Sequence, residues 1–236
     1  MNAFSFANKN VLVTAGATIE SFDFHQYLSN HSDGRLATAL AGFMAHQGAF
    51  VTLVTAPVAV TVQHPRLKTI QVQSALEMDA VCCRFFEQAD IVVMGADIPK
   101  YRPDRVENAR RSQENAMYLK LVPNIDIAYE FGKVKHAGQF SVGFSFQDEH
   151  ACDPVKKMLH KNLNMSVTLP EVINQDKSSE LSGFSILFSN YRTTSFPEMS
   201  FTEAARRIAL EIAQSCREME KSVPVREEIN WNNRCA

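Results

Sequence analysis

The chain alternates short β-branched apolar runs with longer segments whose apolar residues recur at helical spacing. Val11-Leu12-Val13-Thr14 is one such run, and it stops abruptly in the small residues Ala15-Gly16-Ala17-Thr18. This predicts a buried parallel strand that ends in a turn open to close backbone approach. From Gly34 to Gly48 the pattern is helical: Leu36, Leu40, Phe43 and Met44 share a face, and Gly48 suits the position after the last turn. Phe50 to Thr55 reads as the second strand and Leu67 to Val72 as the third. Ser74 opens a helix to about Gln88, with Glu77 completing a capping box. Asp90 to Gly95 is another buried strand. This succession is spaced as parallel crossovers require.

The second half is less regular. Asp97 to Asn115 is polar, carries two prolines, and predicts a long loop of the functional or mobile kind. Its arginines Arg102, Arg105, Arg110 and Arg111 read either as a solvated loop or as a lid over anionic ligands. Strands are predicted at Leu119–Val122, Phe140–Phe144, Met165–Leu169 and Phe184–Phe188. Helices are predicted from Asn124 as N-cap to Phe131, over Asp153–Asn162, and from Ser200 with Glu203 as a second capping box. The stretch from Asn174 to Ser182 reads as a polar loop, and residues 221–236 as a polar tail after one domain over 1–220.

Composition narrows the function classes. The 236 residues carry a net charge of −2, so bulk electrostatics point neither to nucleic acid nor to anionic membranes. No apolar run approaches the roughly 20 residues of a membrane span. Met1 to Asn10 lacks a signal-peptide pattern. Cys82, Cys83, Cys152, Cys216 and Cys235 are odd in number and have no metal-ligand spacing, which implies reduced thiols in a cytoplasmic protein. His25 and His31 flank the Ser29–Gly34 loop and are placed to touch a ligand; the remaining histidines read as surface residues.

Two loops of small and polar residues, at Gly16–Thr18 and Ser29–Gly34, end at strand or helix tips. This suggests a phosphate or nucleotide site built from backbone N–H groups and hydroxyls. The usual dinucleotide glycines and the G-x-x-x-x-G-K-[ST] loop are absent. A longer pattern is present: T-A-G-x-T, S-N-x-S-x-G, V-T-L-V-x-x-P, S-A-x-E-M, A-D-I-V-V-M-x-A, Y-R-P, P-N-x-D-I and V-G-F, in that order. It resembles phosphopantothenate–cysteine ligase, the second activity of the bifunctional coenzyme A biosynthesis flavoprotein, most closely over residues 9 to 165.

The resemblance implies a Rossmann-like three-layer αβα sandwich with a mostly parallel sheet. It implies a homodimer that activates the carboxylate of 4′-phosphopantothenate with CTP or ATP and Mg²⁺, then passes the acyl group to the amine of cysteine. A separate flavin-dependent decarboxylase is the implied partner. Nucleotide-binding roles carry over to Gly16, Thr18, Ser32, Gly34, Asn124, Asp126, Ile127, Phe144, Lys157 and Lys161. The two lysines lie at i, i+4, so on a helix both ammoniums meet one polyphosphate; the same pair also reads as a solvated basic face. Gly16 and Gly34 also read as plain turn glycines. Asn30 matches the residue that holds the activated acyl group, and it also reads as an Asx-type helix start.

The acyl-substrate half departs from the family pattern. Gln26 stands where an arginine is usual, and Lys100 where the Asp of A-A-x-A-D-Y-R-P is usual. Arg110 is the nearest counterpart of the first Lys in the K-x-K-K loop, and Phe201 replaces a late lysine. Ala96, Lys100 and Gln26 line the implied substrate side with Asn30, and Arg110 joins Asn30 in the implied catalytic role. Losing a phosphate arginine costs about 1.5–3 kcal/mol of charge-assisted contact. Three functions remain open on these residues: an active divergent ligase, a nucleotide-binding homologue without turnover, and a ligase for a different carboxylate.

Overall fold

Alternation along the first strand decides the layering. Val11, Val13 and Ala15 enter one apolar cluster, and Leu12 enters a second on the opposite face. The computed structural model describes residues 5–58, 60–106, 118–146, 153–170, 180–181 and 183–222. Its elements run β1 (Asn10–Ala15), β2 (Glu20–Ser21), β3 (Tyr27–Leu28), α1 (Arg35–His46), β4 (Phe50–Thr55), β5 (Leu67–Gln71), α2 (Ala75–Phe86) and β6 (Ile91–Met94). There follow β7 (Tyr101–Pro103), β8 (Leu121–Pro123), α3 (Ile127–Val134), β9 (Phe140–Phe146), α4 (Pro154–His160) and β10 (Met165–Leu169). The chain continues through β11 (Glu180–Leu181), β12 (Phe184–Phe188), β13 (Thr193–Phe196), β14 (Met199–Ser200) and α5 (Phe201–Ser222).

Eight strands form the central sheet in the order β13-β12-β10-β9-β6-β1-β4-β5. The six from β10 to β5 are parallel, and β12 and β13 add an antiparallel edge. Counted in chain order, the parallel strands read 3-2-1-4-5-6 across the sheet, so the order reverses between β1 and β6. Helices α1 and α5 pack together over one face, and α2 and α3 cover the other. This is the expected three-layer, Rossmann-like α/β sandwich. In such sheets ligands bind beyond the carboxyl ends of the strands, at the reversal.

Most predicted elements appear within a residue or two. Ser74 Oγ accepts the Glu77 N–H at 3.2 Å, and Ser200 Oγ accepts that of Glu203 at 3.2 Å. Four expectations need correction. The long loop after Asp97 contains a strand, β7, paired antiparallel with β8. Asn124 does not cap α3; Asp126 does, its Oδ1 accepting the Tyr129 N–H at 3.1 Å. Helix α4 stops at His160, so Lys161 is its C-cap residue rather than a helical one. The predicted polar loop Asn174–Ser182 contains the short strand β11. The rest of that loop, Arg110, Arg111, Cys152, Cys235 and residues 223–236 of the predicted tail lie outside the described residues. Within the described residues no helix is long and apolar enough to cross a membrane.

Candidate active site at the strand-order reversal

A cavity of about 790 Å³ opens at the reversal point. Its floor is made by the strand tips: Thr14 from β1, Met94 and Gly95 at the end of β6, Gly143 to Phe146 from β9, and Ser166 and Leu169 from β10. Gly95 is obligatory for close packing here, because a Cβ on it would meet Ala37 Cβ at 2.7 Å and the Thr14 carbonyl at 2.9 Å. The N-terminal turn of α1 forms one wall through Gly34, Arg35, Leu36 and Ala37. Gly34, the N-cap, supplies no side-chain cap; the Asp33 carboxylate accepts the Arg35 N–H at 3.0 Å, and the positive end of the α1 dipole faces the cavity.

The opposite wall carries cations. Lys157 and Lys161 reach the cavity from α4 and its cap, and Lys100 from the loop after β6. Lys161 Nζ lies 2.7 Å from Asp126 Oδ2, which ties the end of α4 to the start of α3. Asn124, Ile125 and Ile127 extend this wall beside Asp126. The Asn124 carboxamide accepts the Ile125 N–H at 3.0 Å, while its buried Nδ2 finds no acceptor among the described residues. A buried donor left unmatched costs about 1–3 kcal/mol, which a ligand acceptor would recover.

Asn30 stands at the mouth between these walls, with Ser32 and Ala96 nearby in the lining. Its Nδ2 donates to Asp97 Oδ1 at 2.6 Å. Burial raises the pKa of Asp97 above its ordinary value, and the Asn30 hydrogen bond, His31 and Lys157 act in the opposite direction. Asp33 and Arg35 pair at 2.7 Å, and the Arg35 guanidinium lies 5.5 Å from the Phe201 ring.

Eleven of the residues to which the resemblance gives a site role therefore meet in one cavity: Asn30, Ser32, Gly34, Ala96 and Lys100, then Asn124, Asp126 and Ile127, then Phe144, Lys157 and Lys161; His31 lines it as well, and His25 does not. Three more with such a role do not line it. Gly16 supports the cavity from behind, its backbone packed against Gly34. Thr18 is buried, its hydroxyl donating to Glu20 Oε1 at 3.0 Å. Gln26 is exposed in the β2–β3 hairpin, its carbonyl accepting the Phe22 N–H. Sequence reasoning missed Asp97 and Arg35 as parts of the site. For Asp97 the signal was its place next to Ala96 at the tip of a buried strand.

Residues 6–216 match the DNA/pantothenate metabolism flavoprotein C-terminal domain. The chain is 32% identical over 162 residues to the coenzyme A biosynthesis bifunctional protein CoaBC of Escherichia coli K12, a stretch covering 66% of this chain and 39% of that one. With CoaBC of Bacillus subtilis 168 the identity is 30% over 216 residues, 87% of this chain and 51% of the other. A cysteine/cysteine sulfinic acid decarboxylase from an unknown prokaryotic organism is 35% identical over 161 residues, 67% of this chain and 45% of that one. The chain thus spans about half or less of these relatives' length. The crystal structure of the C-terminal domain of CoaBC superposes with a TM-score of 0.76 at 25% identity, covering 92% of this chain and 100% of that one. A Cab2 variant in complex with phosphopantothenate-cysteine shares the fold, with a TM-score of 0.71 at 11% identity over 91% of this chain and 89% of that one. With this match running from Phe6 to Cys216, the chain belongs to the DNA/pantothenate metabolism flavoprotein C-terminal domain family.

Proposed function

We propose that this chain joins 4′-phosphopantothenate to cysteine through a nucleotide-activated acyl intermediate. The observation that carries this reading is a single cavity that brings together anion-binding groups on its walls and the Asn30–Asp97 pair at its mouth. A carboxylate is a poor acyl donor. Its oxygen attacks the α-phosphorus of CTP or ATP, pyrophosphate leaves, and the acyl nucleotide so formed is open to attack by an amine. Lys157, Lys161 and the N-terminus of α1 would hold the polyphosphate and stabilise charge that develops on it. Asn124 Nδ2 would donate to the base, and Phe144 would pack beside it. Mg²⁺ would accompany the triphosphate in this reading and would neutralise charge that develops on it. The reading also makes the protein a cytoplasmic homodimer working beside a separate flavin-dependent decarboxylase.

The test is pyrophosphate release from CTP or ATP, with and without 4′-phosphopantothenate and cysteine. Release that depends strictly on the acid is the expected result. A second reading, a ligase for a different carboxylate, is favoured by Gln26 lying outside the cavity and by Lys100 and Phe201 lying inside it. Nucleotide binding without turnover of 4′-phosphopantothenate, but with turnover of another acid, would select that second reading. Binding with no turnover of any acid would leave a nucleotide-binding homologue.

A further inference from the structure

We infer that Asp97 receives the ammonium group of the amino-acid acceptor and takes one proton from it, freeing the amine to attack the activated acyl group. This rests on the ligase reading above. Asp97 is held at the reversal point by its backbone. Its N–H donates to the Gly16 carbonyl at 2.9 Å, its carbonyl accepts the Thr18 N–H at 3.3 Å, and Ala17 bridges it in parallel register. Gly16 and Thr18 thus serve the site by fixing Asp97.

The charge pattern separates Asp97 from the other acids of the cavity. Asp33 and Asp126 each lie within 2.7 Å of a cation, Arg35 and Lys161 respectively. The Asp97 side chain is hydrogen-bonded to the neutral amide of Asn30, and His31 and Lys157 reach it through charge. A half-buried carboxylate bonded to a neutral amide is stabilised by an incoming ammonium. Burial has raised its proton affinity, which suits a proton acceptor. In the step itself, the amine nitrogen forms a bond to the acyl carbon and the bond from that carbon to the nucleotide phosphate oxygen breaks. The nucleoside monophosphate leaves. Of the two protons the ammonium loses on becoming an amide, the first passes to the Asp97 carboxylate before attack and on to solvent, and the second leaves the nitrogen for water as the new bond forms.

Asp97→Asn keeps the shape of the side chain and an oxygen for Asn30. Two reactions are measured on it and on wild type: pyrophosphate exchange into the nucleotide with 4′-phosphopantothenate alone, and acyl capture by cysteine or by hydroxylamine. Hydroxylamine is neutral at the assay pH and has no ammonium proton to give up before it attacks. The variant is expected to keep exchange within about twofold, to lose about a hundredfold in kcat/KM for cysteine, and to keep capture by hydroxylamine. Equal losses with both nucleophiles, or an equal loss of exchange, would overturn the inference and leave Asp97 as a support for Asn30. Absence of exchange in the wild type would instead remove the ligase reading itself, and this inference with it.

Discussion

Gly34 and Gly16 pack backbone to backbone: a Cβ on Gly34 would lie 2.6 Å from the Gly16 nitrogen and 2.8 Å from its Cα. Both residues are left-handed, with φ of 70° and 82°. Because Gly16 follows β1 and Gly34 precedes α1, this contact sets how deeply the N-terminus of α1 stands over the strand tips. Gly34→Ala would strain the backbone by about 1–2 kcal/mol. It would also force the two turns apart, at about 1–3 kcal/mol. Urea unfolding should register a loss of about 2–5 kcal/mol, accompanied by weaker nucleotide binding. An unchanged unfolding midpoint would count against this account of the contact.

The Lys161–Asp126 pair predicts a non-additive cycle. Lys161→Gln alone leaves the Asp126 carboxylate facing the polyphosphate, and nucleotide affinity should fall about tenfold. Adding Asp126→Asn removes that repulsion and should recover part of the loss. Calorimetric titration of the two single variants and the double reads the coupling. Simple additivity would mean that the pair does not meet the nucleotide.

Asn30→Asp places a second carboxylate against Asp97, within the 2.6 Å hydrogen bond that the amide now makes. Two like charges at that distance cannot both ionise freely, so the pair would share a proton. Turnover should drop far more than nucleotide affinity, because the proposed function gives Asn30 the acyl end. Steady-state kinetics alongside nucleotide titration separates the two, and equal losses would refute the role given to Asn30.

Lys135 carries a pH dependence of stability. Its ammonium donates to Ser141 Oγ at 3.0 Å, the Asn162 carbonyl at 2.6 Å and Asn164 Oδ1 at 2.8 Å. Burial pulls its pKa from 10.5 down to about 8. A lysine whose pKa falls on folding binds its proton less tightly in the native state. The cost of its charge is therefore fully present below about pH 8 and is relieved as the pH rises toward 10.5. Relative to Lys135→Met, the wild type should gain up to about 3 kcal/mol across that window. Denaturation curves that run parallel for the two proteins from neutral to alkaline pH would refute it.

Much of the fold was legible because its signals are local. The run of Val11, Leu12 and Val13 buries both faces of a parallel strand, and the Ser74–Glu77 box marks a helix start whatever surrounds it. The errors arose where local signals competed. Asn124 and Asp126 are both good caps, and the choice fell to Asp126, whose carboxylate also meets Lys161. Strand β7 has a proline and no period; only its pairing with β8 makes it a strand.

Periodicity, caps and turn glycines determined the elements and their order, and the ordered fragments pointed to the family and to most residues of the cavity. Tertiary closure decided which of those residues meet. Asn30 and Asp97 are 67 positions apart and bond because β1 and β6 are neighbours at the reversal. Thr18 and Gly16 look like ligand residues along the chain, yet in space they hold the backbone of Asp97. Strand order and register depend on burying both sheet faces at once, and no local stretch of sequence contains that condition.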